Sequence, residues 1–152
     1  TQIHKLYYHK LGTPQKEDAL IFGGEDMPRR YVGGYVTEDQ NFLVISAANA
    51  TYGNELYIQN ITMSRAPIIP IVKGFDNEHE IVYTENGKLF IVTNLNAPNR
   101  KLVTADAANP TPERWRNLIP ETSFPLTVTT CGKKLFVQYI KDAVSEVYQY
   151  ST

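Results

Sequence analysis

Several features that would assign a chain to a particular class of protein are scarce in these 152 residues. There is no run of about 18 apolar residues, so no segment is predicted to cross a membrane as a helix. The formal net charge is −1 and no Lys/Arg run exceeds two residues, which argues against nucleic-acid and membrane partners. The single cysteine, Cys131, excludes an internal disulfide and leaves the redox compartment open. Because it precedes a turn glycine, we expect it to be half buried.

The motifs of metal, phosphate and catalytic sites are missing as well. His4, His9 and His79 are far apart, and no Cys or carboxylate stands near them at a metal-ligand spacing. The Gly-Gly pairs at 23–24 and 33–34 lack the following helix and the Lys-Ser/Thr of a phosphate loop. No serine lies in the G-x-S-x-G elbow of a serine hydrolase. We therefore predict no metal, no cofactor and no catalytic residue in this chain.

Helical periodicity is nearly absent, and short runs rich in Val, Ile, Tyr, Phe and Leu take its place, each bounded by Gly, Asn, Asp or Pro. The one segment that competes as a helix, NPTPERWR, is short, and its two prolines favour a turn before a strand. This spacing of short runs is typical of an all-β architecture. The predicted strands are 3–11, 18–23, 31–37, 42–48, 55–61, 68–73, 79–84, 88–94, 101–106, 114–119, 125–130, 134–140 and 145–150.

The strands repeat along the chain. The segments EDQNFLVISA, ENGKLFIVTN and TCGKKLFVQY each combine a tight polar turn with a strand of alternating apolar residues, about 46 residues apart. A repeat of roughly 40–50 residues that carries four strands is the signature of β-propeller blades. Three sets of apolar residues are expected to be equivalent: Phe42, Leu89 and Leu135; Leu56, Leu102 and Val147; Ile71 and Leu118.

This repeat predicts a partial β-propeller of about three consecutive four-stranded antiparallel blades. The end of one blade, with a connecting loop and strand, is expected at 1–24, blades at 31–74 and 79–120, and an incomplete blade at 124–152. A closed ring takes about four to eight blades. We therefore expect a part of something larger, whose natural start lies upstream of Thr1.

Three stretches carry a resemblance to a known family: KLYYHKLGTPQKEDALIFGGEDMPRRYVGGYVTEDQNFLVISAA, NELYIQNI and LFIVTNLNAPNRKLVTADAANPTPERWRNLIPE. They resemble the propeller domain of prolyl oligopeptidases, serine peptidases that cleave short peptides after proline. The third stretch is similar to the family's hairpin TN-x-x-(A/S)-PN-Y-(R/K)-(L/V), followed by its Asp, Pro, Trp and L-(I/V)-PE elements.

The resemblance implies a seven-bladed propeller and a separate peptidase domain that carries the catalytic triad. The parent protein would be a serine-type prolyl endopeptidase that hydrolyses proline-containing short peptides, in the cytoplasm or the periplasm. Its propeller covers the active site and admits only small or unfolded peptides. This chain would then gate substrate access and have no activity alone.

Two basic pairs are the substrate-cleft candidates that the resemblance implies. Arg100 and Lys101 occupy the position of the family's Tyr-Arg pair after PN, where Lys101 supplies a point charge in place of a two-pronged guanidinium. Arg29 and Arg30 end the loop EDMPRR, which in the family borders the cleft and moves as substrate enters. Each pair also fits a simpler interpretation, a solvated pair at a strand start or in a surface connector.

Two other functions fit the same repeat. A stand-alone protein-interaction module could close its ring by oligomerisation, each copy burying the other's open blade faces. The propeller of a related oligopeptidase specific for basic residues is a third reading. A module is expected to end at a blade boundary, whereas this chain ends inside a blade at VYQYST, which favours the fragment. We expect the isolated chain to self-associate through its open faces.

Overall fold

The computed structural model describes residues 3–151, which form an all-β structure with two short 3-10 turns, Gln15–Glu17 and Pro112–Arg114. The predicted fold class is confirmed. Positions 1, 2 and 152 of the predicted segments lie outside the described residues. Within residues 3–151 no helix has the length and apolar character needed to cross a bilayer.

The strands are β1 (Lys5–Tyr8), β2 (Ala19–Gly23), β3 (Tyr31–Val36), β4 (Phe42–Ala48), β5 (Glu55–Asn60), β6 (Ile69–Val72), β7 (His79–Glu85), β8 (Lys88–Thr93), β9 (Lys101–Asp106), β10 (Arg116–Ile119), β11 (Leu126–Cys131), β12 (Lys134–Lys141) and β13 (Val144–Ser151).

The strands form four antiparallel sheets in which hydrogen-bonded neighbours are consecutive in sequence. Sheet 1 contains β1–β2, sheet 2 β3–β6, sheet 3 β7–β10 and sheet 4 β11–β13. Short turns make this order possible. Asn86 and Gly87, between β7 and β8, have φ angles of 50° and 75°, as the tightest hairpin turns require.

Apolar side chains fill the space between successive sheets, because residues alternate between the two faces of each strand. The clusters therefore make a stack of sheets, each packed on the next, as propeller blades pack. Sheets 1 and 2 bury Phe22, Ile45, Ala47 and Tyr57 between them. Sheets 2 and 3 bury Phe42, Val44, Leu56, Ile58, Ile71, Ile81, Leu89, Ile91, Val103 and Ala105. Sheets 3 and 4 bury Phe90, Val92, Leu102, Ile119, Leu126, Val128, Leu135 and Val137.

The predicted equivalence of repeat positions is wrong by one residue in two of the three sets. Leu89 faces the preceding sheet, whereas Phe42 faces the following one, so the counterpart of Leu89 is Leu43, which packs toward sheet 1. Leu118 is 47% exposed, and the buried residue of that strand is Ile119. A shift of one residue moves a strand side chain to the opposite face, which is why such alignments need the structure.

Loops gather at two ends of the stack, because neighbouring strands run antiparallel. We call one end A and the other end B. End A is formed by the loops 24–30, 49–54, 73–78, 94–100, 120–125 and 142–143. End B is formed by the loops 9–18, 37–41, 61–68, 86–87, 107–115 and 132–133.

The first strands of sheets 2, 3 and 4 are also linked by side chains. The Tyr35 hydroxyl donates to the carbonyl oxygen of Ile81 at 2.8 Å, and the Thr130 hydroxyl donates to that of Val82 at 3.4 Å. Burial, with a smaller contribution from the Glu80 charge, raises the pKa of Tyr35 to about 12. The phenol therefore keeps its proton and its role as donor.

Candidate functional site at end A

The structure places all four predicted site residues at end A, in two separate surroundings. Arg29 and Arg30 end the 24–30 loop, whereas Arg100 ends the 94–100 loop and Lys101 begins β9. Arg29 is exposed, and Arg30 and Lys101 are partly buried.

Arg100 is paired with a carboxylate but keeps solvent access. Its Nη2 donates to Glu78 Oε2 at 2.9 Å, and the side chains are 43% and 38% exposed. Exposed pairs of this kind contribute at most about 1 kcal/mol to stability. The guanidinium can therefore exchange this partner for a ligand at little cost.

The turn before Arg100 joins sheet 3 to sheet 4. The Asn99 side-chain amide donates to Thr122 O at 3.1 Å, and its main-chain N–H donates to Glu121 Oε1 at 2.6 Å. Leu126 N, at the start of β11, donates to Asn99 O at 2.8 Å. Ala97 is fully buried beneath the turn. The turn thus has a structural role of its own, and it holds Arg100 on a rigid support.

A second set of polar side chains joins sheet 2 to sheet 3. Asn54 accepts from His79 N at 2.8 Å, and its amide donates to His79 O at 3.0 Å and to Ser46 Oγ at 3.1 Å. Asn94 donates to the Tyr52 hydroxyl at 2.8 Å. Since Asn54 imitates a main-chain partner for β7, the 49–54 hairpin is fixed against the next sheet.

His79 lies at the centre of this junction and is only 6% exposed. Its Nδ1 is 2.8 Å from Thr93 Oγ1, which also accepts from Leu95 N at 3.0 Å. The Trp115 ring stands edge-on to the imidazole, with 5.9 Å between ring centroids. Burial lowers the pKa of His79 to about 4, so the ring is neutral near pH 7.

A buried carboxylate fixes the end of the 24–30 loop. Glu55 is 4% exposed and accepts from the Tyr57 hydroxyl at 3.0 Å and from Gly74 N at 3.3 Å. Arg30 Nε lies 3.2 Å from the same carboxylate without the alignment of a hydrogen bond, and its guanidinium is 5.4 Å from the centre of the Phe75 ring. Burial first, and then the hydrogen bond to Glu55, raises the pKa of Tyr57 to about 12.

The 24–30 loop is therefore anchored at two points. Met27 packs against the apolar cluster between sheets 1 and 2, and Arg30 meets Glu55. Arg29, between them, has a φ of 59° and an exposed side chain. Of this basic pair, only Arg29 is fully open to solvent.

The 49–54 hairpin also packs closely on the loop 73–78. At Gly53, which is buried with a φ of 76°, a Cβ atom would overlap the carbonyl oxygen of Phe75. This position therefore requires glycine both for its conformation and for space.

Two open clefts flank Arg100 and Glu78, which line both of them. One, of about 360 Å³, is also lined by Asn54, His79 and Glu80. The other, of about 570 Å³, is also lined by Tyr52, Asn94, Asn99 and Thr127. Amides, a phenol and an ion pair can hydrogen-bond to a peptide chain. Among residues 3–151 no three His, Cys, Asp or Glu side chains group as metal ligands.

The sequence interpretation missed the partners of the two arginines. Glu55 opens the strand ELYIQN, and a carboxylate beside apolar strand residues is a sign of a buried, paired charge. Glu78 carries no comparable sign, because it stands in a polar loop 22 residues before Arg100.

Comparison with known proteins agrees with this architecture. The family described as prolyl oligopeptidase, N-terminal β-propeller domain, matches residues 1–152. A prolyl endopeptidase from Elizabethkingia miricola is 50% identical over 150 residues, which cover 99% of this chain and 21% of that protein. One from Elizabethkingia meningoseptica is 49% identical over the same length. The chain thus spans about a fifth of the length of these relatives.

Solved structures show the same relationship. The apo form of prolyl oligopeptidase B from Galerina marginata superposes with a TM-score of 0.86 at 27% identity, covering 98% of this chain and 22% of that one. A prolyl endopeptidase structure superposes with a TM-score of 0.89 at 28% identity, again covering 98% and 22%. The chain belongs to the prolyl oligopeptidase family, as part of its N-terminal β-propeller domain.

Proposed function

We propose that the longer protein carrying this chain is a serine-type prolyl endopeptidase that hydrolyses short peptides on the carboxyl side of proline. The observation that carries the proposal is the match of the family to the whole chain, together with 50% identity to a prolyl endopeptidase. In this proposal sheets 2 and 3 are whole blades of a seven-bladed propeller, at 31–74 and 79–120. Sheets 1 and 4 are parts of the flanking blades, within 1–24 and 124–152.

This chain contributes walls and loops to that enzyme, and the catalytic triad belongs to another domain. The stacked sheets support such a role, because tightly packed blades exclude folded proteins from an enclosed site. An enclosed, dry site also strengthens the electrostatic stabilisation of a tetrahedral intermediate. In this proposal the gating function depends on packing rather than on any reactive side chain.

Arg100 is the candidate best placed to contact a peptide. It borders both clefts of end A and is held on a braced turn. We assign its guanidinium to a peptide carbonyl or carboxylate, with Lys101, the next residue, and Arg29, on the 24–30 loop of the same end, as additional positive charges. Arg30 has a supporting role, because Glu55 already neutralises it.

The test uses the full-length protein and peptides that differ only in proline, alanine or arginine before the cleaved bond. We expect cleavage after proline, and an Arg100→Gln variant with a higher KM and an almost unchanged kcat. Lys73→Gln removes an exposed positive charge from the same end and serves as the control. Cleavage only after arginine would identify the related basic-specific enzyme, and an unchanged KM would remove Arg100 from the cleft.

A second function, a protein-interaction module that closes by oligomerisation, is favoured by one observation. All eight residues of β13 are exposed, including Val144 at 62%, Val147 at 60% and Tyr148 at 47%. Open apolar strands of this kind pair with other chains. In this proposal the 152-residue chain self-associates at micromolar concentration, and a single monomer peak in light-scattering chromatography would contradict it.

A further inference from the structure

Sheet 3 carries a cleft at end B, on the opposite side of the molecule from the predicted basic residues. It has a volume of about 470 Å³ and lies beside the Asn86-Gly87 turn. Lys88 of β8, Thr104 of β9 and Arg116 of β10 lie on one face of sheet 3. Thr104 pairs with Arg116 on one side and with Phe90 on the other, and residues that pair across strands share a face. Lys88 lies two residues before Phe90, so its side chain is on that face as well. Arg114 of the 107–115 loop completes the wall.

The charges in this cleft are unbalanced. Lys88, Arg114 and Arg116 are exposed and take part in none of the ion pairs found within residues 3–151. The one carboxylate that lines the cleft, Asp106, accepts from Ala108 N at 2.8 Å. Lys88 lies between two carboxylates of the neighbouring strands, because it pairs with Glu85 of β7 and with Asp106 of β9. Arg114 and Arg116 still leave the cleft with an excess of positive charge, which an entering anion lowers.

We propose that this cleft binds an oxyanion group, a carboxylate or a phosphate. Arginine presents a planar fork that matches two oxygens at once, and Lys88 adds a compact charge. Thr104 and Asn109 also line the cleft and offer neutral donors. The anion has two possible sources: a free small molecule, or an acidic side chain in the part of the longer protein beyond this chain.

The experiment uses the full-length protein in a buffer free of multivalent anions. Inorganic phosphate and tricarballylate are titrated by calorimetry into the wild type and a Lys88→Gln/Arg116→Gln double variant. If the source is a free anion, we expect the double variant to bind at least about tenfold more weakly, which is the loss of two charge-assisted contacts. The control, Lys73→Gln, removes an exposed charge at end A and is expected to bind as the wild type does.

If an acidic side chain of the longer protein occupies the cleft, the probes do not bind the wild type. The double variant then has a lower Tm than Lys73→Gln at low salt, and the difference disappears near 1 M NaCl because exposed charges are screened. Equal probe binding in wild type and double variant would overturn the proposal. So would an absence of probe binding together with a Tm equal to that of the control.

Discussion

The two ends of the sheet stack differ in how their polar side chains are used. At end A, Asn54 bonds to the main chain of His79, and Tyr52 to Asn94, so side chains tie sheet 2 to sheet 3. Toward end B the first strands of sheets 2, 3 and 4 are linked, because Tyr35 and Thr130 donate to main-chain oxygens of β7. The charged residues Lys88 and Arg116 of end B face an open cleft.

This difference shows that a basic residue near a strand end does not by itself indicate a binding site. Among the four predicted cations, Arg30 is neutralised by the buried Glu55, whereas Arg100 shares a half-exposed pair with Glu78 that a ligand can replace. The sequence did not single out Lys88, Arg114 and Arg116 of end B, which take part in none of the ion pairs found within residues 3–151. Bonding partners, rather than sequence position, decide which charge remains for a ligand.

The largest difference between the ends is expected at two glycines with almost the same φ angle. Gly53 at end A has a φ of 76° and Gly87 at end B one of 75°. We expect Gly53→Ala to lower the free energy of unfolding by about 4 kcal/mol, because strain adds to the overlap with Phe75. Gly87→Ala, with open space around it, should lose about 1 kcal/mol. Urea unfolding of both variants measures this, and equal losses would contradict it.

The junction at end A is expected to weaken in acid through His79. Its pKa is about 4 in the folded protein and near 6.5 when unfolded, so between these values the unfolded chain binds more protons. The contribution of His79 to the free energy of unfolding is therefore fully present above pH 6.5. It is lost as the pH drops toward 4, and the loss is on the order of 3 kcal/mol. Free energies of unfolding measured across this range should show the slope in the wild type. A His79→Gln variant with the same slope would rule out this cause.

The hydrogen bonds of Asn54 at end A are expected to contribute more to stability than an exposed amide at end B. Asn54→Ala leaves His79 N and O without their partner, and should cost about 2 kcal/mol. Asn109→Ala removes an exposed amide at end B and should change stability by less than about 0.5 kcal/mol. Chemical denaturation of the two variants gives the comparison. A neutral Asn54→Ala would show that the junction does not depend on this amide.

The smallest expected effect is the difference in stability lost when a buried ion pair and a half-exposed ion pair of end A are each broken. Glu55→Gln keeps the shape of the side chain but leaves Arg30 without a counter-charge, which should cost about 1.5 kcal/mol. Glu78→Gln affects a half-exposed pair, and should cost less than about 0.5 kcal/mol. The ratio of the two losses, measured at low and high salt, tests the distinction. Equal losses would mean that burial of Glu55 adds nothing.

Short runs of β-branched, aromatic and Leu residues bounded by Gly, Asn, Asp or Pro were enough to predict the thirteen strands found within residues 3–151. The sequence pattern did not predict which face of its sheet each residue occupies. Phe42 and Leu118 were each matched one residue away from the position that is equivalent in the other repeats. Cys131 was expected to be half buried and is exposed, since it pairs with Lys134 at the end of a hairpin at end B. The residues that build the site come from distant segments, such as Arg30 and Glu55, and local patterns carry no information on such contacts.

The order of strands has a consequence for how the protein is made. Within residues 3–151, each sheet consists of strands that follow one another along the chain. Such local pairing keeps loops short and lowers the contact order relative to pairing between distant strands, which favours faster folding than that alternative. During synthesis, each sheet can form as soon as its last strand leaves the ribosome, and the sheet before it is already in place as its packing surface.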